Sequence, residues 1–276
     1  MSRVDVHKTY KLFIGGGFPR SESGRTFDAT NDKGDLLANA ARASRKDVRD
    51  AVVAARKAQP GWAGATAYNR GQVLYRVAEM MESRRAELIG EVERAEGKRG
   101  AAKQVDDAID AMVWYAGLTD KLTQIAGSLN PVAGPYFNIT APEPTGVIAV
   151  VAPESSLGFV PRIAAALCGG NAAVVLASEK HPLPAITVGE CIATSDVPKG
   201  VVNILTGVHD ELVPVMAAHG DIDGIDVSGV APDALADVEI ASANNVKRIV
   251  RAKSVTSPYE ATAFMDLKTV WHPKGR

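Results

Sequence analysis

Pro-Thr-Gly-Val-Ile-Ala-Val-Val-Ala-Pro, running from Pro144 to Pro153, opens the stretch that decides the fold. Ala-Ala-Leu-Cys-Gly-Gly-Asn follows at Ala165–Asn171, then Ser-Glu-Lys-His-Pro-Leu at Ser178–Leu183, then Pro-Lys-Gly-Val-Val-Asn-Ile-Leu-Thr-Gly at Pro198–Gly207. Within and around these phrases, near-continuous apolar runs at Val147–Ala152, Ala172–Leu176, Val201–Leu205 and Ile222–Val227 read as strands. Helical segments of about ten residues separate them, near Phe159–Leu167, Pro184–Thr194 and Glu211–His219. A strand apolar on both faces has to be covered on both, so the texture predicts a parallel sheet between two helical layers. A last helix near Pro232–Ala243 leads to a fifth strand at Val246–Arg251.

Upstream, Tyr10–Ile14 reads as a strand before Gly-Gly-Gly, and Thr26–Asp35 carries Asn-Asp-Lys-Gly turn chemistry. Ser44-Arg-Lys-Asp47 predicts a capping box, and Val48, Ala51, Val52, Ala55 and Ala58 recur behind it at helical spacing until Pro60-Gly61. The pattern predicts a second helix over Asn69–Glu96, stopped by Gly97, and a third over Ala101–Ala126. Residues 127–146 break this rhythm with Asn130-Pro131, Gly134-Pro135, Pro142 and Pro144, while Tyr136–Thr140 alternates like an exposed strand.

Composition bounds the function classes. The chain has 276 residues, 46% hydrophobic and 23% charged, as expected of a soluble globular protein. A formal net charge of −1 gives no electrostatic reason for a nucleic-acid or membrane partner. The two cysteines, Cys168 and Cys191, lie in apolar helical contexts and suit a reducing compartment. Residues 1–8 lack the apolar core of a leader, and no apolar run approaches the roughly 20 residues that span a bilayer, so the expected location is cytoplasmic.

In order and spacing, the phrases quoted above resemble the NAD(P)+-dependent aldehyde dehydrogenase superfamily. Trp62, Arg70 and Gly97-Lys98 match the family's N-terminal helical layer, and Lys-Thr-Val-Trp at Lys268–Trp271 matches its terminal strand. The resemblance covers residues 10–250 and 262–273. It implies an α/β fold: a Rossmann-like parallel sheet with an N-terminal helical layer, over residues 1–126 and 146–256. A projecting hairpin over 127–145 and a tail strand within 262–276 would carry subunit contacts, with strand pairing across the subunit boundary. The family's catalytic domain, which holds its cysteine nucleophile, has no counterpart and is expected to be missing between about Arg251 and Ser257.

An aldehyde dehydrogenase needs a thiolate, donors for an oxyanion, and a base for the hydrolytic water. The resemblance places the base in Glu-Leu-Gly-Gly-Lys after the fifth strand, where this chain has Arg251-Ala-Lys-Ser-Val-Thr256 and no acid. The oxyanion asparagine of Pro-Trp-Asn-Phe-Pro is replaced, in a loop about two residues short, by Ser155 of Pro153-Glu-Ser-Ser-Leu157. Cys168 and Cys191 read as core filler, and no His/Cys/Asp cluster has metal-ligand spacing. No catalytic residue and no metal site is assigned.

For the dinucleotide, the family's Lys-Pro-Ser-Glu after the second strand is Leu176-Ala-Ser-Glu179, so the glutamate persists and the lysine does not. Glu179 reads equally as a ribose ligand and as a solvated residue. The pyrophosphate loop is Val227-Ser-Gly-Val-Ala-Pro-Asp-Ala234: Ser228 and Gly229 persist, while Pro232 removes an amide donor and Asp226 and Asp233 add negative charge. With the strand-end residues, the candidate cofactor set is Pro153, Ser155, Ser178, Glu179, Gly207, Ser228 and Gly229. The expectation is that NAD(P) binds weakly. The reading is a pseudoenzyme: a non-catalytic subunit assembling with itself or with a full-length aldehyde dehydrogenase. The alternatives are an NAD(P)-dependent oxidoreductase on aldehydes, acting directly or through a partner's cysteine, a dinucleotide-binding protein, and a decaying gene product.

Overall fold

The computed structural model describes residues 8–275; Met1–His7, read above for a leader, lie outside them. Strands β1 (Thr9–Tyr10), β2 (Thr26–Thr30) and β3 (Leu36–Ala41) make a small sheet. The expected strand at Tyr10–Ile14 is shorter, because Phe13 and Ile14 form only isolated bridges around the Gly15-Gly16 turn. Helix α1 (Arg45–Gly64) begins with the predicted box: Asp47 N donates to Ser44 Oγ at 3.4 Å and Ser44 N donates to Asp47 Oδ2 at 2.7 Å. Pro60 does not end this helix. Trp62, 2% exposed, donates from Nε1 to Leu167 O at 3.1 Å and pins the last turn past the proline.

The predicted second helix divides at Arg84 into α2 (Ala67–Ser83) and α3 (Arg85–Glu96). Arg84 leaves helical geometry at φ −109°, ψ 16°, and its guanidinium binds Glu87 and Glu190. The third helix is likewise two, α4 (Ala101–Leu118) and α5 (Leu122–Ala126).

Next come β4 (Ser128–Asn130), β5 (Tyr136–Pro144) and β6 (Val147–Val151), then α6 (Val160–Cys168), β7 (Ala172–Leu176) and α7 (Leu183–Ala193). The chain continues through β8 (Val202–Leu205), α8 (His209–Ala218), β9 (Gly224–Asp226), α9 (Leu235–Ala243), β10 (Arg248–Val250), α10 (Pro258–Thr262) and β11 (Met265–Pro273).

Strands β6 to β10 form one parallel sheet in the order β10-β9-β6-β7-β8, so the chain starts in the middle, builds outward to β8, then returns to the other side of β6. Alternation along β6 decides both faces. Ile148 and Val150 join the core shared with α2, α4, α6 and α7, while Val147, Ala149 and Val151 join the one shared with α1 and α8. All five β6 residues are fully buried, as the uninterrupted apolar run requires.

The hairpin and the tail make a third sheet, ordered β11-β5-β4. β11 pairs antiparallel with β5 of its own chain over its whole length, Met265 opposite Pro144 and Pro273 opposite Tyr136. This ladder occupies one edge of the strand. The strand returns beside its own hairpin because Phe264 is fully buried and its carbonyl accepts from Asn171 Nδ2 at 2.9 Å and Thr145 N at 3.2 Å.

Candidate functional site

The parallel sheet reverses its winding between β6 and β9. In such sheets the crevice beyond the C-terminal strand ends at that point is where ligands bind. The seven candidate residues do gather there: Pro153 and Ser155 follow β6, Ser178 and Glu179 follow β7, Gly207 follows β8, and Ser228 and Gly229 follow β9.

At these ends the residues hold one another. Gly229 donates its N–H to Val151 O at 3.0 Å, and a Cβ on it would stand 1.8 Å from Ala152 O. The β9 loop thus lies directly on the β6 loop, and glycine is required there by the packing of one backbone on another. Ser228 turns back on its own strand: its amide donates to Asp226 Oδ1 at 2.9 Å and its hydroxyl donates to the same oxygen. Asp226 is fully buried, burial pushes its carboxyl above the usual range, and Oδ2 has no partner among the described residues.

Ser178, 1% exposed, donates to Glu154 O at 2.6 Å and accepts from His181 N at 3.1 Å, tying the β7 end to the β6 loop. Glu179 is exposed and accepts from His209 N at 2.6 Å, which places a carboxylate on the first amide of α8. His209 Nε2 donates to Ala177 O at 2.9 Å, so the ring carries its proton on that nitrogen. Gly207 is packed too, since a Cβ would meet Leu212 Cδ1 at 2.7 Å. Leu176, in the place of the family lysine, is fully buried.

The short loop after β6 folds back as turns through Phe159. Gly158 N donates to Ser155 O at 3.3 Å, and a Cβ on Gly158 would come within 2.4 Å of Ser155 Oγ. Two side chains from the helical layer hold it: Ser156 N donates to Glu96 Oε1 at 2.6 Å, and Leu157 N donates to Gln104 Oε1 at 2.8 Å. Gln104 Nε2 also donates to Glu96 Oε2 at 2.9 Å, fixing the amide's orientation.

Sequence reasoning missed these clamps, and it missed the ion pair behind them. Arg162 and Glu260, 4% and 6% exposed, pair at 3.1 Å and hold α10 to α6. Glu260 Oε1 further accepts Lys253 N at 2.8 Å and Ser254 N at 2.9 Å, while Arg162 donates to Ser254 O. The segment after β10, where the resemblance implies a catalytic base, is folded onto this pair. A signal was available: Arg162 is the one charge in the otherwise apolar helix Val160–Cys168, and a buried guanidinium needs a partner.

Neither thiol has a nucleophile's setting. Cys168 and Cys191 are free and fully buried, and burial pushes them up to about 12 and about 11. Among the described residues no group of His, Cys, Asp and Glu could hold a metal ion, and no helix is long and apolar enough to cross a membrane.

The model of the aldehyde dehydrogenase family matches residues 18–271. The chain belongs to the aldehyde dehydrogenase family. Retinal dehydrogenase 2 of Gallus gallus is 34% identical over 269 residues, 94% of this chain and 51% of that protein. HpcC from Thermus thermophilus superposes at a TM-score of 0.83 with 28% identity, over 88% of this chain and 48% of its own. An aldehyde dehydrogenase from Bacillus cereus, solved as its NAD+ complex, gives 0.81 and 27%, over 88% and 50%. The chain thus spans about half the length of the relatives it matches. The Rossmann-like sheet with its N-terminal helical layer corresponds to the dinucleotide-domain half of the family fold.

Proposed function

We propose that this member of the aldehyde dehydrogenase family is non-catalytic, binds NAD(P) weakly, and works as a subunit that assembles with itself or with a full-length aldehyde dehydrogenase. One observation carries the reading: at the strand ends, the polar groups a dinucleotide would use already have protein partners. Ser178 is committed to Glu154 and His181, Ser228 to Asp226, Glu179 to the α8 amide, and Gly229 to the Ala152 backbone. These residues do not fit a tightly held dinucleotide, since each diverted contact costs on the order of 1 kcal/mol. Several together move a micromolar site to roughly millimolar. The sealed thiols support the same reading for turnover.

Purified chain, incubated with NAD+ and a panel of aliphatic and aromatic aldehydes, is expected to form no NADH above background. Turnover abolished by Cys168→Ala or Cys191→Ala would overturn the proposal. A dinucleotide-binding protein is the second reading, favoured by the exposure of Glu179 beside the switch point. Calorimetric titration with NAD+ separates the two, because a low-micromolar constant would favour the second.

A further inference from the structure

A cavity of about 230 Å³ lies between the loop of residues 20–25 and the strands β1, β2 and β3. Tyr10, Ser21 and Ala41, all buried, line it. Lys11, Arg20 and Arg25 line it too, and no acidic residue does. Among the described residues these three cations have no ion pair and no side-chain hydrogen bond. The hydroxyls of Thr9 and Thr26, also in the lining, are likewise unpartnered among the described residues. The carboxylate that shapes the loop is spent on it: Ser21 Oγ donates to Asp47 Oδ2 at 2.8 Å and Glu22 N donates to Oδ1 at 3.0 Å. Gly24 turns the chain at φ 67° and donates to Ser21 O at 2.9 Å, while Arg25 O accepts Arg42 N at 2.9 Å. Arg20 and Arg25 are thereby brought from the two ends of a braced turn to one cavity. Glu211, within the field of Arg25, is already paired with Arg42. The surrounding sequence has the same sign. Residues 8–58 carry eleven Lys and Arg against six Asp and Glu, in a chain whose net charge is −1.

We infer that this cavity is a binding site for a small phosphomonoester, whose phosphoryl group is held by Lys11, Arg20 and Arg25. Like charges gathered without a counter-charge repel one another, and an anion among them relieves the repulsion. The chemistry of the donors selects the anion. A carboxylate brings a single charge, whereas a phosphomonoester carries about −1.5 to −2 at neutral pH and three acceptor oxygens. Two guanidinium groups can each fork onto a pair of those oxygens, and Lys11 adds a point charge. The free hydroxyls of Thr9 and Thr26 supply neutral donors. Size sets the rest of the ligand. At about 30 Å³ per water the cavity holds roughly eight waters, enough for a phosphoryl group and a few further atoms. The site is separate from the crevice described above. It lies beyond β8, where Phe13 bridges to Ile204, at the margin of the parallel sheet opposite β10. It therefore stands or falls independently of dinucleotide binding at the β6–β9 switch point.

Backbone-amide NMR of the full chain, titrated at constant ionic strength with inorganic phosphate and then with glycerol 3-phosphate, tests this. Both probes are expected to give saturable shifts confined to residues 9–11, 20–26 and 41. Lys11→Gln, Arg20→Gln and Arg25→Gln combined should weaken both by roughly tenfold or more. Lys98→Gln with Arg99→Gln removes two cations that are also unpaired among the described residues but lie outside the cavity, and should leave the titrations unchanged. The triple variant loses exposed charges that repel one another, so it should fold with a urea midpoint no lower than the parent's. Added phosphate should raise the parent's midpoint and not the variant's. Shifts that sodium chloride reproduces, that fail to saturate, or that survive the triple variant overturn the site. Binding of phosphate without glycerol 3-phosphate overturns the assignment to a phosphomonoester. NADP+ shifting these amides at lower concentration than glycerol 3-phosphate overturns the assignment to a small ligand. NAD+ saturating the strand-end amides alone, at low micromolar concentration, would overturn the weak-binding reading and leave this site intact.

Discussion

Gly229 and Asp226 show how little room the switch point leaves. A Cβ on Gly229 would meet Ala152 O at 1.8 Å, and the obstacle is backbone, which cannot rotate away. Gly229→Ala should therefore lower unfolding stability by about 3 kcal/mol, read from the urea midpoint at unchanged slope. Asp226 carries a pH signature. Burial raises its folded-state pKa above the ordinary 3.8, so between these values the folded protein holds a proton that the unfolded chain releases. Its contribution is full at low pH and is lost as pH rises through the folded pKa. Asp226→Asn keeps an acceptor for Ser228 and cannot ionise, so stability measured at about pH 4 and about pH 7 should differ less in the variant than in the parent. At this scale the sequence is readable for position and opaque for orientation. The order of phrases places Ser178, Glu179, Ser228 and Gly229 at the strand ends, and the structure puts them there. That Ser178 donates to a carbonyl and Glu179 sits on a helix amide depends on partners 24 and 30 residues away, Glu154 and His209.

The helices and strands divide by how far their causes reach. The Ser44 box is local chemistry within four residues and is legible at once. The break at Arg84 is not, because Val77, Met81, Leu88 and Val92 continue the apolar face across it and the ion pair to Glu190 comes from another helix. Pro60 misleads in the opposite sense: its cost to the helix is outweighed by the burial of Trp62 two residues on. Helix α10 and the loop before it are held by a buried clasp, Arg162 with Glu260, and by Tyr115, whose hydroxyl donates to Val255 O at 3.2 Å. Arg162→Met removes one partner and leaves a buried carboxylate, at an expected cost of about 3–5 kcal/mol. Amide hydrogen exchange should locate the damage, speeding up across residues 251–265 while β6 and β7 stay protected.

For the whole molecule, the parallel sheet and both helical layers were foreseeable because β6 and β7 are apolar on both faces. The fate of the tail was not, since Lys268–Trp271 has the same letters whether it pairs within the chain or outside it. Removing β11 should expose this difference. The cut belongs after Met265, as Phe264 and Met265 are part of the core. Loss of residues 266–276 is expected to leave the far-UV helix signal nearly unchanged and to abolish the discrete oligomer, giving monomer or aggregate by light scattering. A discrete oligomer that survives the cut would place the interface elsewhere.

Besides its link to α5 through Gly127, the small sheet is joined to the parallel sheet by two legs. One is Thr145–Gly146, which joins β5 end-on to β6, the central strand; Gly146 N is held by Asn171 Oδ1 at 2.8 Å. The other is Phe264–Asp266, fastened to Asn171 and to Arg248 on the edge strand β10. A single covalent leg would make a hinge; two legs with shared bracing make a frame. Force applied along β11 is thus divided between the centre and the margin of the parallel sheet, and neither leg can swivel without tearing the other from its seat. Whatever grips that strand takes hold of the whole chain, in one orientation.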